Sequence, residues 1–236
     1  MAYRETPRMR ARKAANRERI VSVTQALVAR GGFRNASIAR IAAESGVAIG
    51  SVYRHFDSKS ALFAEVFRNA TEVEVARVAL ALQQASSQRE ALEQALRVFA
   101  RRALRAPTMA WALIAEPVDP LVDEERLRYR EAYARHFQQS LQAGIDQGDF
   151  APQNARLASA ALVGAIAESL VGPLSPAATD PDDQAARQLI EDIVQFCLHA
   201  LQPLEGQPHE RQHRPEHPLS RQHPRGGEPA TGAAEL

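Results

Sequence analysis

Apolar residues recur at helical spacing along the first 200 or so residues, and no stretch alternates as a half-buried strand would. The first predicted helix runs from about Arg12 to Arg30, with Ile20, Val23, Thr24, Leu27 and Val28 on one face and Gly31-Gly32 to end it. Ser37 is a good N-cap for a second helix carrying Ile38, Ile41 and Ala42, which stops at Gly46. A third spans about Ala48 to His55 and turns Val52 and Phe56 inward beside Val47. Asp57-Ser58 opens a long fourth helix whose stripe is Leu62, Val66, Ala70 and Val73.

The same signals continue downstream. Ser87 and Glu90 have capping-box spacing and open a helix to about Arg105, ended by Pro107. A short helix bearing Trp111 and Leu113 stops at "EPVDP". Pro120 starts the next, which reaches Gly148 with Leu127, Tyr133, Phe137, Leu141 and Ile145 inward. Pro152 opens "QNARLASAALVGAIAESLVG" and Asp180-Pro181 opens "DDQAARQLIEDIVQFCLHAL". Both are apolar on more than one face: Leu189, Ile193 and Phe196 form one stripe of the last, and Ile190, Val194 and Leu201 another. Two stripes imply burial on two sides, either against a second subunit or as central helices of a monomer. Between these, the position near the chain end favours a homodimer formed through about 153–172 and 181–202.

From Pro203 onward six prolines, four glycines and few large apolar residues predict a disordered tail over 203–236. His209, His213 and His217 would share a helix face there, but Pro208, Pro215 and Pro218 oppose that helix, so no metal site is expected. The single cysteine, Cys197, excludes an internal disulfide and lies in an apolar run, as a buried thiol would. No uncharged run of membrane-spanning length and no secretory leader is read, so the expectation is a cytoplasmic protein.

Charge changes the picture. Residues 1–60 hold twelve Lys/Arg against four Asp/Glu, a surplus of +8, so the remaining 176 residues carry −7 of the +1 total. A basic head on an acidic body suggests that only the head meets a polyanion. Within it, "ARIAAESGVAIGSVYRHF" has the parts of a helix-turn-helix over 37–56. Gly46 turns the chain, while Ile41, Val47, Val52 and Phe56 share an apolar interior. That leaves Ala48, Ile49, Gly50, Ser51, Arg54 and His55 outward, with Tyr53, His55 and Lys59 in reach of flanking phosphates. Small residues at 48 and 50 permit close approach to a groove. The alternative is an ordinary helical hairpin with a solvated face, against which the basic setting and the exposed aromatic and histidine both weigh. Residues 1–13 read as a flexible basic arm that binds phosphates or simply aids solubility.

Over 14–74, and above all in "GGFRNASIARIAAESGVAIGSVYRHFDSKSALFAEVF", the chain resembles the DNA-binding domain of the TetR/AcrR family of bacterial repressors. The resemblance implies an all-α subunit: a three-helix head with a helix-turn-helix, and a larger helical body over 75–202 for ligand binding and dimerisation. It also implies DNA contacts at Ser37, Ser51, Tyr53, His55 and Lys59, and a homodimer through the last two long helices. One departure is Ala48, where the family often has a Ser or Thr that caps the recognition helix; losing the cap costs about 1 kcal/mol.

The family's logic implies a double-stranded DNA operator as partner and a small-molecule effector that enters the body and shifts the fourth helix. Candidate lining residues are Phe99, Met109, Trp111, Leu113, Tyr133, His136, Phe137 and Glu168, a largely apolar set. "AEPVDPLVDEERLRYREAY" reads mainly as a loop and a solvated helix face, with a gate as the alternative. No nucleophile elbow, phosphate loop or dinucleotide glycine pattern occurs, so an enzyme is not expected, and neither is a cofactor. A module that binds protein or RNA stays open as a rival, and so does activation in place of repression.

Overall fold

Capping chemistry sets where the helices begin. In the computed structural model, which describes residues 6–179 and 181–202, α1 (Pro7–Gly31) starts at Thr6, whose Oγ1 accepts from Met9 N at 3.3 Å, and carries Pro7 in its first turn. The flexible arm expected over 1–13 is therefore corrected: residues 7–13 are the opening turns of α1, with exposed side chains. A 3-10 turn at Phe33–Asn35 leads to α2 (Ile38–Glu44), α3 (Ile49–Tyr53) and α4 (Lys59–Gln83). Ser37 Oγ and Ser58 Oγ accept from Arg40 N and Ala61 N and cap α2 and α4. Gly46, at φ 64°, makes the turn between α2 and α3.

Ile20, Leu27, Phe33, Ile41, Val52, Phe56, Leu62 and Phe67 close the core of the head, with the Phe33 and Phe63 rings 4.9 Å apart. Ala112 and Val122 of the body complete this core. The boundary expected at 74/75 falls inside α4, a single 25-residue helix shared by head and body. α4 packs against α1, α5 and α7, so its apolar surface is wider than one stripe: Phe63, Phe67 and Thr71 are buried too. Val73, expected inward, is exposed.

The body consists of α5 (Gln88–Arg105), α6 (Pro107–Ile114), α7 (Pro120–Gln147), α8 (Ala155–Leu174) and α9 (Asp183–His199). Ser87 caps α5, while the Glu90 carboxylate accepts from the amide and hydroxyl of Ser86, one residue earlier than the box places it. Gly148, at φ 84°, ends α7 with its amide on the carbonyls of Gly144 and Ile145. Asn154 caps α8 and Asp182 caps α9, so both helices begin two or three residues later than the prolines suggested. Leu92, Leu96, Phe137, Leu141, Ile166, Leu170 and Val194 fill the core. Cys197 is buried there, and burial pushes its thiol up to about 11. Arg97 on α5 grips Glu191 on α9 through both oxygens, at 2.9 and 2.7 Å.

One inward assignment fails on α7. Leu127 is 66% exposed, because the buried face of α7 follows Val122, Arg126, Tyr129, Tyr133 and Phe137 and not the face of Leu127. Of the two stripes expected on α9, the core takes Ile190, Val194 and Leu201 together with Ile193, Cys197 and Leu198, and Phe196 is left 65% exposed on the other side. α8 is long and apolar enough to cross a membrane by length and composition, with mean hydropathy 1.6, although Arg156 and Glu168 interrupt it. It packs against α7, α6, α5 and α9 through Leu162, Val163, Ile166, Leu170 and Leu174, as a core helix does.

Candidate nucleic-acid interface and ligand cavity

The short helix α3 is held from behind and open in front. Val52 and Phe56 bury its rear, while Ala48, Ile49, Gly50, Tyr53 and Arg54 are exposed and Ser51 and His55 are half-buried. Ile49 and Tyr53 are each about half exposed, large apolar surfaces left without internal cover. Ala48 stands at the N-cap with no side-chain hydrogen bond. A Cβ added at Gly50 would meet nothing within 4 Å, so the glycine is not demanded by packing inside the subunit. Ser37 lies exposed at the start of α2, and Lys59 lies exposed at the start of α4 with Nζ 4.8 Å from the centre of the Phe63 ring. Of the nine residues expected at the interface, seven are exposed and Ser51 and His55 are half-buried.

The surface is electropositive around His55. Burial lowers its pKa first, and the charges of Lys13, Arg17 and Arg54 lower it further. Other arginines of the head are engaged internally. Arg17 forks onto Glu65 and lies over the Phe56 ring, and Arg30 and Arg40 both bind Glu44.

The body encloses a cavity of about 100 Å³ among α4, α5, α6, α7 and α8. Of the expected lining, Phe99, Met109, Leu113 and Tyr133 are in its wall. The other four are corrected. Trp111 faces a different hollow, Phe137 is fully buried in the core, His136 is half-buried on α7 off the cavity, and Glu168 is exposed on the outer face of α8.

Sequence reasoning missed the polar part of this cavity. Arg102 binds both oxygens of Glu74 across the wall, one at 2.5 and one at 2.8 Å. Tyr133 packs edge-on to Phe99, and burial, with the charge of Glu74, drives its hydroxyl upward in pKa. Tyr129 donates to Glu72 at 3.1 Å and is pushed up to about 12, mostly by burial. Arg126 is largely buried and donates to the carbonyls of Leu113 and Glu116 at 3.0 and 2.8 Å. The signal was in the spacing, since Val122, Arg126, Tyr129, Tyr133 and Phe137 recur at steps of four and three.

The stretch read as a solvated face is also corrected, because it joins body to head. Glu125 is buried and binds Arg68 on α4 at 2.7 Å; its Oε2 has no hydrogen-bond partner among the described residues. Glu116 is 2% exposed, and its carboxylate accepts from the amides of Phe33 and Arg34 at 2.8 and 3.1 Å.

The comparisons with known proteins agree with this architecture. Residues 20–66 match the bacterial regulatory proteins of the tetR family, and residues 85–170 match the tetracyclin repressor-like C-terminal domain. The HTH-type transcriptional repressor KstR2 of Rhodococcus jostii (strain RHA1) is 28% identical over 142 residues, which cover 58% of this chain and 69% of that protein. Among solved structures, FadR of Bacillus subtilis in complex with stearoyl-CoA superposes with a TM-score of 0.64 at 17% identity, over 78% of this chain and 98% of that one. The fatty acid degradation regulator FadR of Bacillus halodurans superposes at 0.65 with 17% identity, over 83% and 97%. With a helix-turn-helix head and a helical body each matched by its own family pattern, the chain belongs to the tetR family of bacterial transcriptional regulators.

Proposed function

We propose that this regulator is a cytoplasmic homodimeric repressor, with no catalytic activity, which binds a palindromic operator and is released by a small, largely apolar effector. The observation that carries the reading is the exposed front of α3, where Ile49, Gly50, Tyr53 and Arg54 are exposed and Ser51 is half-buried beside them, while Val52 and Phe56 fix the helix from behind. In this reading Ser51 and Arg54 reach base edges, and Ser37, Tyr53, His55 and Lys59 hold phosphates.

Homodimerisation is supported by the outer faces of α8 and α9. Leu157 is 68% exposed, and Ala161 and Gly164 follow on the same face of α8. Phe196 supplies a large uncovered side chain on α9. Two subunits paired there would present two α3 helices to major grooves one turn apart, roughly 34–36 Å.

Effector control is supported by the body cavity, whose wall mixes Phe67, Phe99, Met109 and Leu113 with the Glu74–Arg102 pair. Similarity to a repressor, KstR2, and to a FadR solved with stearoyl-CoA supports both repression and an apolar ligand. At about 100 Å³ the cavity is below the roughly 300–1,000 Å³ of occupied small-molecule sites. Entry of an effector therefore requires α4 or α6 to move, which is how binding would reach the head.

The test is selection of duplex DNA by the purified full chain, followed by sedimentation of the complex. Two subunits on a two-fold symmetric site are expected, and Lys59→Ala should reduce the salt slope of binding by about one unit for every sequence. A single subunit with no preference for symmetric sites over random DNA would overturn the proposal.

A further inference from the structure

We propose that the hollow between head and body is a second ligand site, built for a small aromatic carboxylate. It lies apart from the body cavity and encloses about 550 Å³, within the roughly 300–1,000 Å³ range of small-molecule sites. One wall is the end of α1 and the turn after it, with Arg30, Gly32 and Arg34. The other is α6, with Thr108 and Trp111, flanked by Pro173 at the end of α8.

The polar groups of this hollow are donors in excess. Arg34 is 76% exposed, and its one ion pair among the described residues is to Glu116 Oε1 at 3.9 Å, beyond hydrogen-bond reach. The Trp111 indole N–H and the Thr108 hydroxyl make no hydrogen bond among the described residues. No side chain caps α6, and in its first turn the amides of Thr108 and Met109 have no acceptor among the described residues, Pro107 having no N–H and Ala110 donating to the Ala106 carbonyl. The acceptor side is already used. Glu116 is the one carboxylate in the wall among the described residues, and it is committed to the amides of Phe33 and Arg34. A carboxylate matches the guanidinium fork of Arg34, which donates no side-chain hydrogen bond among the described residues, and the Trp111 ring offers a flat apolar face for the group that carries it. Such a ligand touches Arg34 of the head and Trp111 of the body together, so it favours whichever head position keeps both within reach.

The test uses the full chain, with 2-naphthoate and its neutral isostere 2-naphthamide titrated by calorimetry, and needs no operator DNA. Naphthoate should bind about tenfold more tightly, the ratio a charge-assisted hydrogen bond supplies. Arg34→Gln, whose exposed side chain leaves folding intact, should bring the two probes to the same affinity. Trp111→Leu should weaken both, with unchanged thermal unfolding as the check on its fold. Phe99→Ala, in the body cavity, should alter neither. Absence of naphthoate binding up to millimolar concentration overturns the proposal. So does binding that survives Arg34→Gln unchanged, or binding that Phe99→Ala removes, which would put the probe in the body cavity. None of these outcomes bears on whether the protein is a repressor.

Discussion

The carboxylate of Glu116 lies across the backbone of Gly32, so close that a Cβ at position 32 would meet Oε2 at 2.6 Å. Gly32 also sits at φ 73° with ψ near −179°, a conformation essentially reserved for glycine. The glycine therefore permits both the turn out of α1 and the clamp that follows it, in which Phe33 and Arg34 donate to Glu116. Gly32→Ala should destabilise the protein by about 3 kcal/mol or more, from backbone strain plus loss of the clamp. Glu116→Gln keeps one acceptor and should cost about 1–2 kcal/mol. Urea unfolding of the two variants checks the order, and the clamp account fails if Glu116→Gln proves the more damaging.

Gly50 presents the opposite case. It stands in α3 at an ordinary backbone conformation, with open space where a Cβ would go. Gly50→Ala should therefore stabilise the free protein by about 0.5 kcal/mol, since alanine loses less entropy on entering a helix. If the glycine serves close approach to a groove, the same change weakens operator binding at least severalfold. Thermal unfolding together with DNA titration separates the two effects. A variant that is more stable and binds DNA as tightly as before would show that position 50 does not approach the duplex.

How much could be read from the chain depended on whether the signal was local. Ser37, Gly46, Ser58 and Gly148 are punctuation that acts within a turn of itself, and each does in the fold what its residue type implies. The outward side of α3 followed because Val52 and Phe56 left only one way for so short a helix to face. The interior of α7 was harder, because Arg126 and Glu125 are charged and ordinarily belong in water. Their burial depends on carbonyls of α6 and an arginine of α4 that no local pattern announces. Trp111 was assigned to the body cavity on apolarity alone, yet α6 borders two hollows and its neighbours Ala110 and Leu113 took the inner one.

The pH response of His55 should change sign with DNA present. In the free protein, burial and the charges of Lys13, Arg17 and Arg54 hold its pKa below the ordinary 6.5. The unfolded chain then binds the proton more readily, so His55 contributes stability above about pH 6.5 that is lost as the pH falls through its folded value. Against a DNA phosphate the charged form is favoured, the pKa rises, and operator affinity increases as the pH is lowered through that bound-state value. Unfolding and DNA titrations in parallel at pH 7.5 and below, on wild type and His55→Gln, check both slopes. An affinity that responds to pH equally in both proteins would remove His55 from the phosphate contact.

Gly164 offers a direct probe of the proposed subunit contact. It lies exposed on α8 along the line of Leu157, Ala161 and Glu168, and a Cβ built on it meets nothing within 4 Å inside the subunit. A bulky residue there is harmless to a lone subunit and improves helix propensity by up to about 1 kcal/mol relative to glycine. Across a close helix-helix contact the same side chain would hold the two backbones apart, because small residues are what let helices approach. Gly164→Leu should therefore run as a monomer in sedimentation with secondary structure unchanged, and should bind a half-site as the wild type does while losing the added affinity of the full palindrome. Phe196→Glu, which places an uncompensated charge on the neighbouring outer face of α9, should give the same result by a different route. Should both variants remain dimers, the partner surface lies elsewhere on the subunit, and the pairing of α3 helices through α8 and α9 is wrong.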